Sequence, residues 1–308
     1  MPKLTARVAL ALAALALALT ACGSRDASDP TEPTATAPPA AREPRCATLR
    51  ARVSGRVADP ALDELSGLVA SRTRRGLLWA HEDSGAAPEL VALRADGRVL
   101  GRFVVPGASA LDWEAIATGP APGGGARLYV GDVGDNEARR DSIDVYRLPE
   151  PDPARPGATA PAQRLRLRYP DGAHDAEALL IDPRRDELVV VTKELGGTRA
   201  YSTRASRPAG RVVTLRRGPS LPLLLVTAGD VSADGGVVAL RTYSELLLWA
   251  RPGRGSLFKA LRRRPCSSFV ARGEGQGETL ALDRRGRTAL TVPEGVRPAL
   301  RRYAPAPR

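Results

Sequence analysis

Four stretches carry one theme: Leu62-Asp63-Glu64-Leu65-Ser66-Gly67-Leu68, Leu111-Asp112-Trp113-Glu114-Ala115-Ile116-Ala117, His174-Asp175-Ala176-Glu177-Ala178-Leu179-Leu180 and Gly275-Gln276-Gly277-Glu278-Thr279-Leu280-Ala281. Each sets a glutamate ahead of a short run of small and apolar residues. A degenerate fifth copy, Thr227-Ala228-Gly229-Asp230-Val231-Ser232, has aspartate in its place. From Glu64 through Glu114, Glu177 and Asp230 to Glu278 the intervals are 50, 63, 53 and 48 residues. After each copy come further short apolar runs separated by Gly, Pro and Asp, as in Leu77–Ala80, Leu90–Leu93 and Val99–Val105 around the turn Ala95-Asp96-Gly97. Helical periodicity is almost absent. A repeat of roughly 40–50 residues holding about four strands predicts an all-β fold, a β-propeller with WD40-like repeat spacing.

Five units predict five blades, with six as the alternative because Pro149–Pro161 and Pro252–Pro265 have no assigned strand. The last unit runs out of chain after Tyr303. Ala47–Val57, which precedes the first copy, is therefore expected to supply its outer strand and close the ring, removing an exposed edge. In the third unit the outer strand is expected at Val212–Leu215.

The N-terminal region reads differently. Lys3 and Arg7 precede Val8–Ala21, an Ala/Leu/Val run of 14 residues, short of the ~20 that span a bilayer and suited to a signal peptide. It ends Leu19-Thr20-Ala21-Cys22, similar to the lipobox of bacterial lipoproteins, so residues 1–22 are expected to be a signal peptide with Cys22 lipidated. Residues 23–45, rich in Pro, Thr and Ala, lack the apolar content for a core and read as a disordered tether. The propeller then occupies 46–308. This places the protein on the extracytoplasmic face of the cell membrane, where Cys46 and Cys266 would pair as a disulfide.

The net charge is +12, and lysine occurs only at Lys3, Lys193 and Lys259, so arginine carries nearly all the positive charge. The arginines are scattered and not interleaved with aromatics, which argues against nucleic acid. Anionic lipid, a wall polymer, an anionic small molecule or a protein partner suit the charge better. Three cysteines and two histidines exclude a four-thiolate zinc centre and a histidine-rich metal site.

In a propeller the repeated carboxylates Glu64, Glu114, Glu177, Asp230 and Glu278 would meet at one mouth of the central channel. The second strands end on the same face, contributing Asp83, Asp132, Asp135, Asn136, Lys193 and Arg241. Oxygen-rich loops suit Ca²⁺, with Glu114, Asp132, Asp135 and Glu177 as the ligand set, while Lys193 and Arg241 would face an anionic ligand or neutralise the glutamates. His81 and His174 read as structural imidazoles and Trp113 as packing between blades. No Gly-x-Ser-x-Gly, P-loop or His-Glu-x-x-His motif is present.

Glu64-Leu-Ser-Gly-Leu68, Leu78-Trp-Ala-His-Glu-Asp83, Leu93-Arg-Ala-Asp-Gly97 and Asp112-Trp-Glu-Ala-Ile-Ala117 resemble the opening blade of the SdiA-regulated periplasmic propellers. The Glu-Ala-Ile-Ala and Glu-Ala-Leu-Leu copies are also similar to the phytase-like esterase propellers, a resemblance that implies a calcium-dependent phosphoesterase. Two functions follow as expectations. One is a membrane-anchored propeller that binds a ligand or partner at its acidic channel face. The other is a Ca²⁺-dependent hydrolase.

Overall fold

Gly, Pro and Asp break the chain into short runs, and each run becomes a strand. The structure, a computed structural model, describes residues 48–305 apart from residue 84. Lipidation at Cys22, the tether and the Cys46–Cys266 pairing all involve residues outside that range.

In chain order the elements are β1 (Leu49–Arg56), β2 (Leu65–Ala70), β3 (Leu77–Glu82), β4 (Glu89–Arg94), β5 (Val99–Val104), β6 (Trp113–Pro120), β7 (Ala126–Asp132) and β8 (Ile143–Pro149). Next come β9 (Gly157–Ala158), β10 (Gln163–Arg168), β11 (Ala176–Asp182), β12 (Glu187–Thr192), β13 (Thr198–Arg204), β14 (Val212–Thr214) and β15 (Arg216–Leu221). The last are β16 (Val226–Val231), β17 (Val237–Thr242), β18 (Glu245–Ala250), helix α1 (Leu257–Leu261), β19 (Ser267–Val270), β20 (Ala281–Leu282), β21 (Ala289–Thr291) and β22 (Ala299–Pro305).

These strands form five antiparallel blades whose inner strands are β2, β6, β11, β16 and β20, so the chain is a five-bladed β-propeller. β1 pairs with β22 as the outer strand of the fifth blade, which closes the ring as the repeat predicts. Inner and middle strands are buried along nearly their whole length, as in Trp113–Gly119. Outer strands alternate: in β10 only Leu165 and Leu167 are buried, between exposed arginines. Sheet faces packed on both sides need continuous apolar runs, and a half-exposed strand needs only every second residue.

Hydrophobic burial is divided among the blade interfaces. Five clusters fill the first–second, second–third, third–fourth, fourth–fifth and fifth–first contacts. Trp79 and Trp113 are fully buried in the first of these, and each indole N–H is satisfied, by Glu150 Oε1 at 3.0 Å and by the Ser109 carbonyl at 2.8 Å. Truncating either would cost about 3–5 kcal/mol.

Two segments correct the sequence reading. Val212–Thr214 is a strand, but it adds parallel to β10 at the outer edge of the second blade. The outer strand of the third blade is β15, Arg-Arg-Gly-Pro-Ser-Leu, whose Gly and Pro disguise it; an edge strand tolerates both. The Pro149–Pro161 insertion carries β9, which adds parallel to β5 of the first blade. Pro252–Pro265 contains α1, which packs Leu257, Phe258, Ala260 and Leu261 inward. With both segments placed, no sixth blade remains.

Candidate functional site

The first four inner strands share one irregularity. Pairing with the second strand slips by a residue at Ser66, Glu114, Glu177 and Thr227. Such bulges re-aim a side chain and terminate regular pairing. Glu278 precedes β20, and with Ser66, Glu114 and Glu177 it lines a central void of about 10 Å³, close to the least that admits one water. The residue after each bulge is small, Gly67, Ala115, Ala178 or Ala228, so the inner strands can approach closely. Measured between these five positions, the intervals are 48, 63, 50 and 51 residues.

The ring is therefore Ser66, Glu114, Glu177, Thr227 and Glu278. Glu64 and Asp230 do not belong to it. Glu64 is exposed, two residues upstream, and its carbonyl accepts Asp83 N–H at 2.9 Å. Asp230 lies three residues beyond Thr227, towards the other end of the channel.

Few donors serve the ring. Ser66 Oγ donates to Glu114 Oε2 at 2.7 Å, and Tyr243 donates to Glu278 Oε1 at 3.1 Å. Lys193 Nζ pairs with Glu177 Oε1 and lies 5.3 Å above the Tyr243 ring. Glu177 Oε2 is buried without a hydrogen-bond partner. Burial pushes the Glu114 carboxyl up to about 10, with Glu177 and Asp83 adding to it and the Ser66 hydroxyl opposing. Burial also raises Glu177, against the pull of Lys193. Glu294, at the end of the fifth blade's second strand, is pushed up to about 8 by burial and by its hydrogen bond with Glu278.

At the rim of this mouth, carboxylate oxygens of Asp83, Asp112 and Glu114 lie within 4.8 Å of one another. Among the described residues this is the group placed to hold a metal ion. Gly134 makes room for it: a Cβ there would stand 2.4 Å from Asp112 Oδ2. Burial, with Asp83 and Asp175 nearby, lifts Asp112 to about 6. Three close carboxylates are hard oxygen donors, the chemistry Ca²⁺ prefers.

Asp132 and Asp135 are committed elsewhere. Asp132 pairs with Arg140 at 2.8 Å and accepts the N–H groups of Leu111 and Asp112 at 3.2 Å each. In doing so it positions Asp112. Asp135 accepts the N–H groups of Arg139 and Arg140 at 2.9 and 2.7 Å, shaping its own loop, and Asn136 is exposed. Arg241 is not presented to the channel. It is fully buried against Glu274 at 2.7 Å, and Glu274 in turn accepts from Tyr303.

The two histidines are structural. His81 is buried, with Nδ1 2.9 Å from the Glu82 carbonyl and its ring edge-on to Trp113; burial lowers its pKa. His174 Nδ1 contacts Glu194 Oε1 at 2.6 Å, and Nε2 lies 2.9 Å from the Tyr201 hydroxyl and 3.3 Å from Asp171.

The opposite end of the channel is closed by Arg72. Its Nε donates to Thr118 Oγ1 at 2.8 Å, and its other nitrogens reach the Val231 and Ala233 carbonyls at 3.4 Å, tying three blades together. Nearby, Asp230 accepts Val231 N–H and Leu282 N–H, both at 2.7 Å. Ser66, Thr227, Asp112 and Arg72 were not singled out from sequence. The small residue after each bulge is the signal that locates the first two.

No protein-family model matches the chain, and no curated protein matches it. Among solved structures it is similar to the nidogen/laminin complex, at 12% identity over 75% of this chain and 73% of that one, with TM-score 0.44. It is also similar to a putative 6-phosphogluconolactonase from Bacteroides uniformis, at 11% identity over 79% and 68%, TM-score 0.40. The β-propeller domain of Cps50 (Swd1) from Myceliophteria thermophila matches at 14% identity over 79% of this chain and 65% of that one, TM-score 0.38.

Proposed function

We propose that this chain is an exported, lipid-anchored binding propeller whose acidic mouth takes a divalent cation of the Ca²⁺ type, and that its ligand or partner docks there. The observation that carries the reading is the grouping of Asp83, Asp112 and Glu114. Three carboxylates, each offering one oxygen, supply at most half of the six to eight oxygens that Ca²⁺ takes, leaving positions for water and for a ligand's oxygens. Glu114 holds a proton at neutral pH because burial and like charges disfavour its anion. A dication would replace that proton. The lipobox at Leu19–Cys22 and the repeat resemblance support location and class.

Binding is favoured over turnover by the state of the cations. A hydrolase would need Lys193 or Arg241 to meet developing negative charge, and each is engaged by a carboxylate. Calorimetric titration of CaCl₂ into the full chain at pH 7.5 is expected to give one ion per chain with proton release, read from buffers of different ionisation heat. Asp112→Asn should weaken binding at least about tenfold. Absence of binding heat would refute the reading, and robust Ca²⁺-dependent phosphoesterase activity lost in Glu114→Gln would replace it with the hydrolase.

A further inference from the structure

A second cavity lies on the outer rim, away from the channel. Leu221 and Leu223 of the third blade's edge, Trp249 of β18, Leu261 of α1 and the flanking prolines Pro222 and Pro265 enclose about 280 Å³. Its lining is mostly apolar, and prolines contribute no backbone N–H to wet it. The indole N–H of Trp249 is already satisfied by the Arg263 carbonyl at 2.9 Å. At about 30 Å³ per water-sized group, the cavity accommodates on the order of nine, which is a short length of hydrocarbon.

The rim is cationic. Arg262, Arg263 and Arg264 follow one another directly after α1, all are exposed and all border this cavity. Among the described residues none of the three takes part in an ion pair. Some exposed arginines of this molecule pair with carboxylates, as Arg74, Arg204 and Arg216 do, and others, Arg75 and Arg94 among them, do not. What sets Arg262, Arg263 and Arg264 apart is that they sit side by side at the lip of an apolar cavity. An apolar cavity with three uncompensated guanidiniums at its lip matches a molecule with a hydrocarbon end and an acidic end. Guanidinium also binds phosphate bidentately.

We propose that this groove takes the acyl end of an anionic phospholipid, with the phosphate held by Arg262–Arg264. Clustered arginines gain from the negative potential of an anionic leaflet, and the occupied groove would turn the rim between the third and fourth blades towards the bilayer. The site is independent of the acidic mouth.

Trp249, though itself buried, lines this groove, whereas Trp79 and Trp113 lie in the core between the first two blades, so a groove ligand reaches Trp249 first. The test titrates the full chain with dihexanoyl-phosphatidylglycerol below its micelle concentration and follows tryptophan fluorescence. The expected result is a saturable change, at least tenfold weaker with dihexanoyl-phosphatidylcholine and absent with inorganic phosphate alone. The triple variant Arg262→Ala, Arg263→Ala, Arg264→Ala should lose at least tenfold in affinity at unchanged Tm, and Leu223→Glu should abolish the response. Equal responses to the two lipids, or full affinity in the triple variant, would overturn the proposal. So would a response seen only after deletion of residues 23–45, which would make the chain's own proline-rich segment the occupant.

Discussion

The same inner strands end in opposite chemistry at the two mouths of the channel. At one end Asp230 meets donors: two backbone N–H groups and, nearby, the Arg72 guanidinium all lower its pKa, and burial alone lifts it to about 7. At the other end Glu114 meets its own kind: Glu177, Asp83 and Asp112 join burial in raising it to about 10, and only Ser66 opposes. The first arrangement spends its polar groups on holding blades together. The second leaves them in conflict, which costs stability unless a cation resolves it. Polar satisfaction thus separates the structural end of this propeller from the candidate binding end.

The largest effect should come from the satisfied end. Asp230→Ala leaves the Val231 and Leu282 N–H groups buried without acceptors, and chemical denaturation should show a loss of about 3 kcal/mol. If stability is unchanged, that end is not the structural one. At the conflicted end Glu114→Gln keeps an acceptor for Ser66 and removes an ionisable group from an acidic cluster. Metal-free stability should rise by about 1 kcal/mol; a clear fall would erase the contrast.

The dependence on pH sharpens it. Asp112, Glu294 and Glu114 are pushed up to about 6, 8 and 10, so the folded state keeps protons that the unfolded chain has released. Their share of stability is full below the unfolded carboxyl values of about 4 and is lost as pH rises through the folded ones. Thermal melts in chelator should therefore give a higher Tm at pH 5 than at pH 8. Saturating Ca²⁺ should flatten that slope, and a Tm that rises with pH in chelator would contradict the assignment.

Much of this architecture was legible because a propeller repeats its physics. Each blade needs the same small residues where inner strands converge, so Ala115, Ala178 and Ala228 recur in phase, and the N-terminal strand had only one unfilled edge to join. Phase at the mouth was harder. Glu64 and Asp230 lie within three residues of the true positions, but Ser66 and Thr227 occupy them, and a bulge cannot be seen in a run of letters. A hydroxyl can stand where a carboxylate stands in the next blade, because the ring needs donors as well as acceptors. The pairings of Asp132 with Arg140 and of Arg241 with Glu274 were invisible for another reason. The first depends on the conformation of one loop and the second joins groups 33 residues apart, so neither leaves a local pattern.

Cation binding by the carboxylates gathered at one face of the ring underlies the proposed function. Anomalous diffraction from crystals of the protein soaked in a lanthanide, a Ca²⁺ surrogate with the same preference for oxygen, tests it most directly. A single strong peak is expected between Asp83, Asp112 and Glu114, absent from Asp112→Asn crystals. Peaks only at lattice contacts or on the outer surface, with the mouth empty, would contradict cation binding there.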